Sequence, residues 1–165
     1  MREERPDELA LRLALAKARA SRAARAAEPL ILGADTVVAL DGRPFGKAGS
    51  EEEALCMLSQ LSGREHTVFT AVALDTAGHE KTALSRSEVR MRKIAPDEAL
   101  NYWRSGEPLG KAGAYAIQGI GGIFVEALSG SYSGVVGLPV FETALLLRQA
   151  GIDLLRRVSA PGRAQ

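Results

Sequence analysis

A single cysteine, Cys56, stands in 165 residues, which removes intrachain disulfides and every zinc site that needs two or more thiolates. Cys56 itself reads as a small core residue. Only two histidines are present, and His66 and His79 have neither metal-ligand spacing nor a nearby nucleophile, so both read as surface residues. Aromatic side chains make up 5% of the chain against 17 glycines, a balance that favours close backbone approaches over a bulky aromatic core. No apolar run approaches the ~20 residues that span a bilayer, and the Arg- and Glu-rich start carries no apolar signal core. The expectation is a cytoplasmic protein without a membrane partner. With 21 basic and 20 acidic residues the net charge is +1, which offers no broad attraction for a nucleic-acid backbone. No nucleic-acid partner is expected, and any phosphate must be gripped locally.

What is there reads as one domain with a buried core. Pro6 fits the first turn of a helix running to about residue 27, with Leu9, Leu13, Ala16, Ala20 and Ala24 as its apolar stripe. Residues 30–40 form a strand apolar on both faces, hence a central one, closed by the tight-turn dipeptide Asp41-Gly42. Ser50 and Glu53 make a capping box for a helix to about Leu61. Two strands follow, over 67–75 and 82–94, the second more polar and placed near an edge. A short helix opens at Pro96, a strand covers 124–128 before a Gly/Ser loop, and Pro139 starts a last helix that Gly151 stops. This pattern gives an α/β (α+β) fold with a mixed β-sheet and flanking helices. Residues 1–155 form the domain, and 156–165 read as a flexible C-terminal tail.

Asp35 is the sharpest anomaly. A carboxylate inside the apolar run 30–40 costs several kcal/mol unless it is paired, hydrogen-bonded or metal-bound. It either pairs structurally with a turn, a lysine or an arginine, or works on a ligand brought close at Gly33. Lys47 beside Gly46 can meet a phosphate, or be an ordinary loop lysine. Lys17 borders the helix stripe, where snorkelling into solvent is the favoured reading. Glycine spacing over 110–122 and 130–139 suits amides facing an anionic or flat ligand, with Lys111 adding charge. Gln118 sits among Ala116, Ile117 and Ile120, where its amide can donate to and accept from a pyrimidine edge or be satisfied within the core.

Four blocks, Leu-Gly-Ala-Asp-Thr-Val-Val over 32–38, Gly46-Lys47, Ala-Gly-Ala-Tyr-Ala-Ile-Gln-Gly over 112–119 and Gly-Ser-Tyr-Ser-Gly-Val-Val-Gly-Leu-Pro over 130–139, carry a resemblance to the Maf-like nucleoside triphosphate pyrophosphatases. Residues 13–18, with Lys17, resemble that family's helix motif. The resemblance implies a two-lobed fold related to the inosine triphosphatases, with a nucleotide cleft between the lobes. It implies a cytoplasmic enzyme, commonly a homodimer, that splits a nucleoside triphosphate into the monophosphate and pyrophosphate with Mg²⁺ or Mn²⁺. By the same carry-over Asp35 is the proton acceptor and a metal neighbour, Lys17 and Lys47 meet the triphosphate, and Thr36 and Gln118 select the base as in the dTTP/UTP branch. The chain departs from the pattern in lacking the family's N-terminal strand, its Ser-x-Ser-Pro-Arg-Arg loop and an early acidic residue. Ala48 stands where proline is usual, and Gly134 where asparagine is frequent. The expectation is an N-terminally truncated member whose turnover is weakened, since each lost charge-assisted phosphate contact removes ~1.5–3 kcal/mol. The alternative is a non-catalytic nucleotide-binding or regulatory remnant.

Overall fold

The computed structural model describes residues 4–155; the tail expected over 156–165 lies outside them. Helix α1 spans Pro6–Ala24, strand β1 Ile31–Leu40 and the short strand β2 Arg43–Pro44; α2 spans Glu51–Leu61, β3 Glu65–Thr76 and β4 His79–Met91. Helix α3 covers Pro96–Arg104, a 3₁₀ turn Ile120–Phe124, β5 Val125–Ser129, α4 Tyr132–Val136 and α5 Val140–Gln149. The α4 turn and the 3₁₀ turn fall where glycine-rich loop was expected. No described helix is long and apolar enough to cross a membrane.

Turn chemistry sets the strand order. Asp41 and Gly42 both take positive φ, at 51° and 77°, and Ala77 and Gly78 do the same at 54° and 93°. Such paired positive φ values match the twist of a two-residue hairpin. The β1–β2 and β3–β4 connections are therefore hairpins, and the sheet reads β2-β1-β3-β4-β5. Every described strand pair is antiparallel, which corrects the expected mixed sheet within an α/β class that holds. The reason is that the β1–β2 hairpin reverses the chain before α2 carries it back, so β3 enters beside β1 running the opposite way.

Two expected strand positions also change. β4 is interior, because β5 covers its Glu88–Met91 end. β1 is central only at its end: β2 pairs with Ala39 and Leu40 alone. Its outer edge over 31–38 carries no strand partner among the described residues.

Strand alternation sends successive side chains to opposite faces. On one face Ile31, Val37, Ala71 and Ala73 pack against Ala10, Ala14 and Ala18 of α1. That alanine row, spaced by four, is the buried stripe of α1, whereas Ala16 and Ala20 of the expected stripe are exposed. The cause is Gly33. A Cβ there would lie 2.5 Å from the Ala14 carbonyl oxygen and 2.7 Å from the Ala18 nitrogen, so helix backbone rests directly on strand backbone and only small residues fit between. On the other face Val38, Val68, Val89 and Met91 join Leu58, Leu61, Tyr102 and Phe124 in the larger core beneath α2 and α3.

Capping follows the sequence closely. Ser50 Oγ accepts the Glu53 amide at 3.2 Å, while the Glu53 carboxylate takes the Gly49 amide at 2.8 Å, one residue before the position a capping box uses. Glu98 reaches back to the Ala95 amide at 3.0 Å. Cys56, expected in the core, is exposed on α2, since the helix turns Ala54, Leu58 and Leu61 inward.

Gly33→Ala is expected to lower the unfolding free energy by about 1–3 kcal/mol, because the new methyl must push α1 off the sheet. A urea titration of both forms checks this; an unchanged midpoint would remove the close approach as a constraint.

Candidate functional site

The open edge of β1 forms one wall of a cavity of about 240 Å³, and its lining includes Lys17, Asp35, Thr36, Lys47, Lys111 and Gln118. The five residues given site roles by the resemblance, Lys17, Asp35, Thr36, Lys47 and Gln118, thus line one cavity, together with Lys111. α1 brings Lys17, β1 brings Asp35 and Thr36, the loop after β2 brings Lys47, and the segment before the 3₁₀ turn brings Gln118. Backbone pairing seats the last two together: Lys47 forms an isolated antiparallel bridge with Ala112, and Gly113 donates to the Gly46 carbonyl at 3.4 Å.

The Asp35 side chain is 11% exposed and its Oδ1 lies 2.5 Å from Lys17 Nζ, on a lysine that is 53% exposed. Lys17 also donates to the Ala34 carbonyl at 3.0 Å. Its local snorkelling reading is corrected: the ammonium bends onto the open strand edge and meets an anion there. The partner that a carboxylate in an apolar strand requires is therefore Lys17. Strand alternation places Thr36 on the opposite face, directly across from Thr70 in the β1–β3 register. The two hydroxyl oxygens lie 3.0 Å apart.

Gln118 is exposed, not a core amide, and it is free to face a ligand. A carboxylate holds its segment. Glu107 accepts from Tyr102 Oη at 2.6 Å and from the Ile120 and Gly121 amides at 2.9 Å each, while Tyr102 Oη accepts the Ala116 amide at 3.1 Å. Burial alone would raise the Glu107 pKa; the Tyr102 hydroxyl, these amides and nearby Lys111 outweigh it and hold the carboxyl below the usual range. Glu107 escaped the sequence reading because nothing local marks it.

His66, expected at the surface, is 2% exposed. Its Nε2 lies 2.8 Å from Tyr115 Oη, and Tyr115 lines the cavity. Among the described residues Nδ1 has no partner. β3 faces that side chain into the larger core because Thr67, its neighbour, takes the other face with Glu88. Burial drives the His66 pKa down to about 4.

A larger hollow, about 970 Å³, opens on the far side of Lys47 against α2. Two of its acids are already engaged: Asp41 pairs with Arg64 at 2.7 Å and Glu53 serves the α2 cap, while Glu52 lies in the first turn of α2. The smaller cavity is the better candidate, because it combines a largely buried carboxylate with lysines from three separate segments.

No cluster of three or more His, Cys, Asp or Glu suited to an ion occurs among the described residues. Asp35 is the one acid lining the cavity. That donor set fits a magnesium-type ion, which takes one or two carboxylates and completes its shell from phosphate oxygens and water. It does not fit an ion caged by protein alone.

A carboxylate paired with a lysine on an open strand edge, with two further lysines, an amide and a hydroxyl lining the same cavity, is a set of groups chemically suited to a phosphorylated ligand. The chain belongs to the Maf-like protein family, whose model matches residues 1–150. It is 49% identical over 155 residues to a dTTP/UTP pyrophosphatase of Burkholderia pseudomallei (strain 1710b), covering 90% of this chain and 74% of that protein. A dTTP/UTP pyrophosphatase of Bordetella parapertussis is 54% identical over 122 residues, 74% of this chain and 59% of that protein.

His66 generates a pH prediction. Its folded pKa lies below the unfolded value of about 6.5, so the unfolded state binds the extra proton first. Stability contributed by neutral His66 is complete above pH 6.5 and is lost as pH falls toward about 4, by roughly 3 kcal/mol at most. Chemical unfolding from pH 7 to 4 measures this loss, and His66→Gln should flatten it.

Proposed function

We propose that this chain is a nucleoside triphosphate pyrophosphatase acting on dTTP and UTP. The observation that carries the reading is the Asp35 carboxylate held 2.5 Å from Lys17 in the cavity that Thr36, Lys47 and Gln118 also line. The names of the relatives support the same activity.

Splitting the bond between the α and β phosphates requires a water in line with it, a base for that water's proton, and screening of the phosphate oxygens. In the proposed mechanism Asp35 accepts the proton from the water that attacks the α-phosphorus. The bond from that phosphorus to the bridging oxygen breaks, and the electron pair leaves with pyrophosphate. Lys17 orients Asp35 and, with Lys47 across the cavity, offsets the negative charge of the triphosphate. Asp35 would hold a divalent cation, magnesium or manganese, which would supply further charge neutralisation. Thr36 and Gln118 meet the base. Strand alternation separates the tasks: Asp35 and Lys17 work on one face of β1, Thr36 on the other.

Asp35→Asn keeps the shape but removes the base, and pyrophosphate release from dTTP and UTP is expected to fall by roughly 10²–10⁴-fold. Lys47→Met should chiefly raise KM. The assay is run with Mg²⁺ and with Mn²⁺, on this chain and on a form extended into the upstream reading frame. Full activity of Asp35→Asn would overturn the mechanism, and triphosphate binding without hydrolysis in either form would identify a nucleotide-binding remnant.

A further inference from the structure

The hydroxyl beside the base has a fixed polarity. Thr70, 1% exposed, sits directly opposite Thr36 in the β1–β3 register. Its Oγ1 lies 2.7 Å from the Gly134 carbonyl oxygen, and a carbonyl can only accept, so the single Thr70 proton is committed to α4. The Thr36 and Thr70 oxygens are 3.0 Å apart. Of the two hydroxyls, only Thr36 still has a proton to place between them. Thr36 therefore donates to Thr70, and what it turns to the cavity is lone pairs.

Resting on the pyrimidine triphosphate reading of this site, we infer that Thr70 is a specificity-determining positioning residue. It locks Thr36 as an acceptor, which takes the N3–H of uracil or thymine and turns away cytosine. Uracil and thymine present a donor at N3 between two carbonyl oxygens, whereas N3 of cytosine is itself an acceptor. Against a Thr36 unable to offer a proton, cytosine leaves two lone pairs facing each other with no hydrogen between. Gln118, exposed on the same cavity, has an amide nitrogen to donate to a neighbouring ring carbonyl. The discrimination thus originates three hydrogen bonds from the ligand, at the Gly134 carbonyl of α4, which does not line the cavity.

The geometry also says that Thr70 can be changed without orphaning a buried group. The Gly134 carbonyl accepts the Gly137 amide at 3.0 Å as well, so valine, the same shape without the hydroxyl, leaves it satisfied. Without Thr70 Oγ1 the Thr36 proton is released to swing into the cavity, and cytosine N3 gains a donor.

The test compares the parent chain with Thr70→Val, Thr70→Ser and Thr70→Ala. Binding of non-hydrolysable α,β-methylene analogues of dTTP and dCTP is measured by calorimetry with Mg²⁺, with melting temperatures as a check on folding. The parent is expected to prefer the thymine analogue. Thr70→Ser, which keeps the proton chain, should retain that preference. Thr70→Val and Thr70→Ala should each reduce it by roughly tenfold or more, mainly through tighter dCTP-analogue binding, since one mismatched buried hydrogen bond is worth about that factor. A merely structural Thr70 would shift melting temperature and leave the ratio alone. An unchanged ratio in folded Thr70→Val or Thr70→Ala overturns the inference, as does an equal loss in Thr70→Ser. Binding of neither analogue by the parent overturns the proposed function itself.

Discussion

The contact on which the rest of the site depends is backbone against backbone, where α1 rests on β1 at Gly33. With 2.5 Å between the Ala14 carbonyl oxygen and the place a side chain would begin, helix and strand are as close as chain geometry permits. Ala10, Ala14 and Ala18 make that approach possible and gain burial from it. Its consequence lies beside that contact on each element. Lys17 and Asp35 come within ion-pair distance because Lys17 precedes Ala18, whose backbone meets Gly33, and Asp35 lies two residues beyond Gly33 on the same face of β1. A larger residue at Gly33 would move the ammonium as well as the helix.

The second constraint is the shortness of β2. By pairing with only Ala39 and Leu40, it leaves the middle of β1 with an open edge, and a strand with an open edge is accessible from both faces. Most proteins blunt such an edge; here a lysine, a carboxylate and the loop bearing Lys47 surround it. Because alternate side chains point opposite ways, adjacent residues Asp35 and Thr36 enter different chemical surroundings. Asp35 looks toward α1 and its charge, Thr36 toward the neutral hydroxyl of Thr70 and the carbonyls of α4. The two sides of one strand thus carry a charged environment and a neutral hydrogen-bonding one.

Much of this was legible in the sequence where the signal is local. Asp41-Gly42 forces its hairpin through backbone conformation, Ser50 and Glu53 start α2, and Pro96 and Pro139 mark helix starts through their missing amide protons. Asp35 was visible for an energetic reason, since a carboxylate in that apolar run demands compensation. Misreadings share a cause as well. Cys56, His66, the face of α1 and the depth of β4 all turn on which side of an element meets its neighbour. Apolar alanines all round α1 do not say which row is buried, and a histidine in an alternating strand does not say which face is the core.

Residues 32–38, 46–47, 112–119 and 130–139 by themselves determined the family and the kinds of group available at the cavity, because residue type fixes charge, proton-donor capacity and backbone freedom without reference to the fold. Only the tertiary structure decided that Lys17 bends onto Asp35 instead of reaching for solvent, that Glu107 and Tyr102 hold the Gln118 segment, and that Thr36 meets Thr70. Each of these rests on contacts between groups far apart along the chain, from 13 residues for Glu107 and Ile120 to 64 for Thr70 and Gly134. Their geometry exists only once strands have paired and the helix has docked.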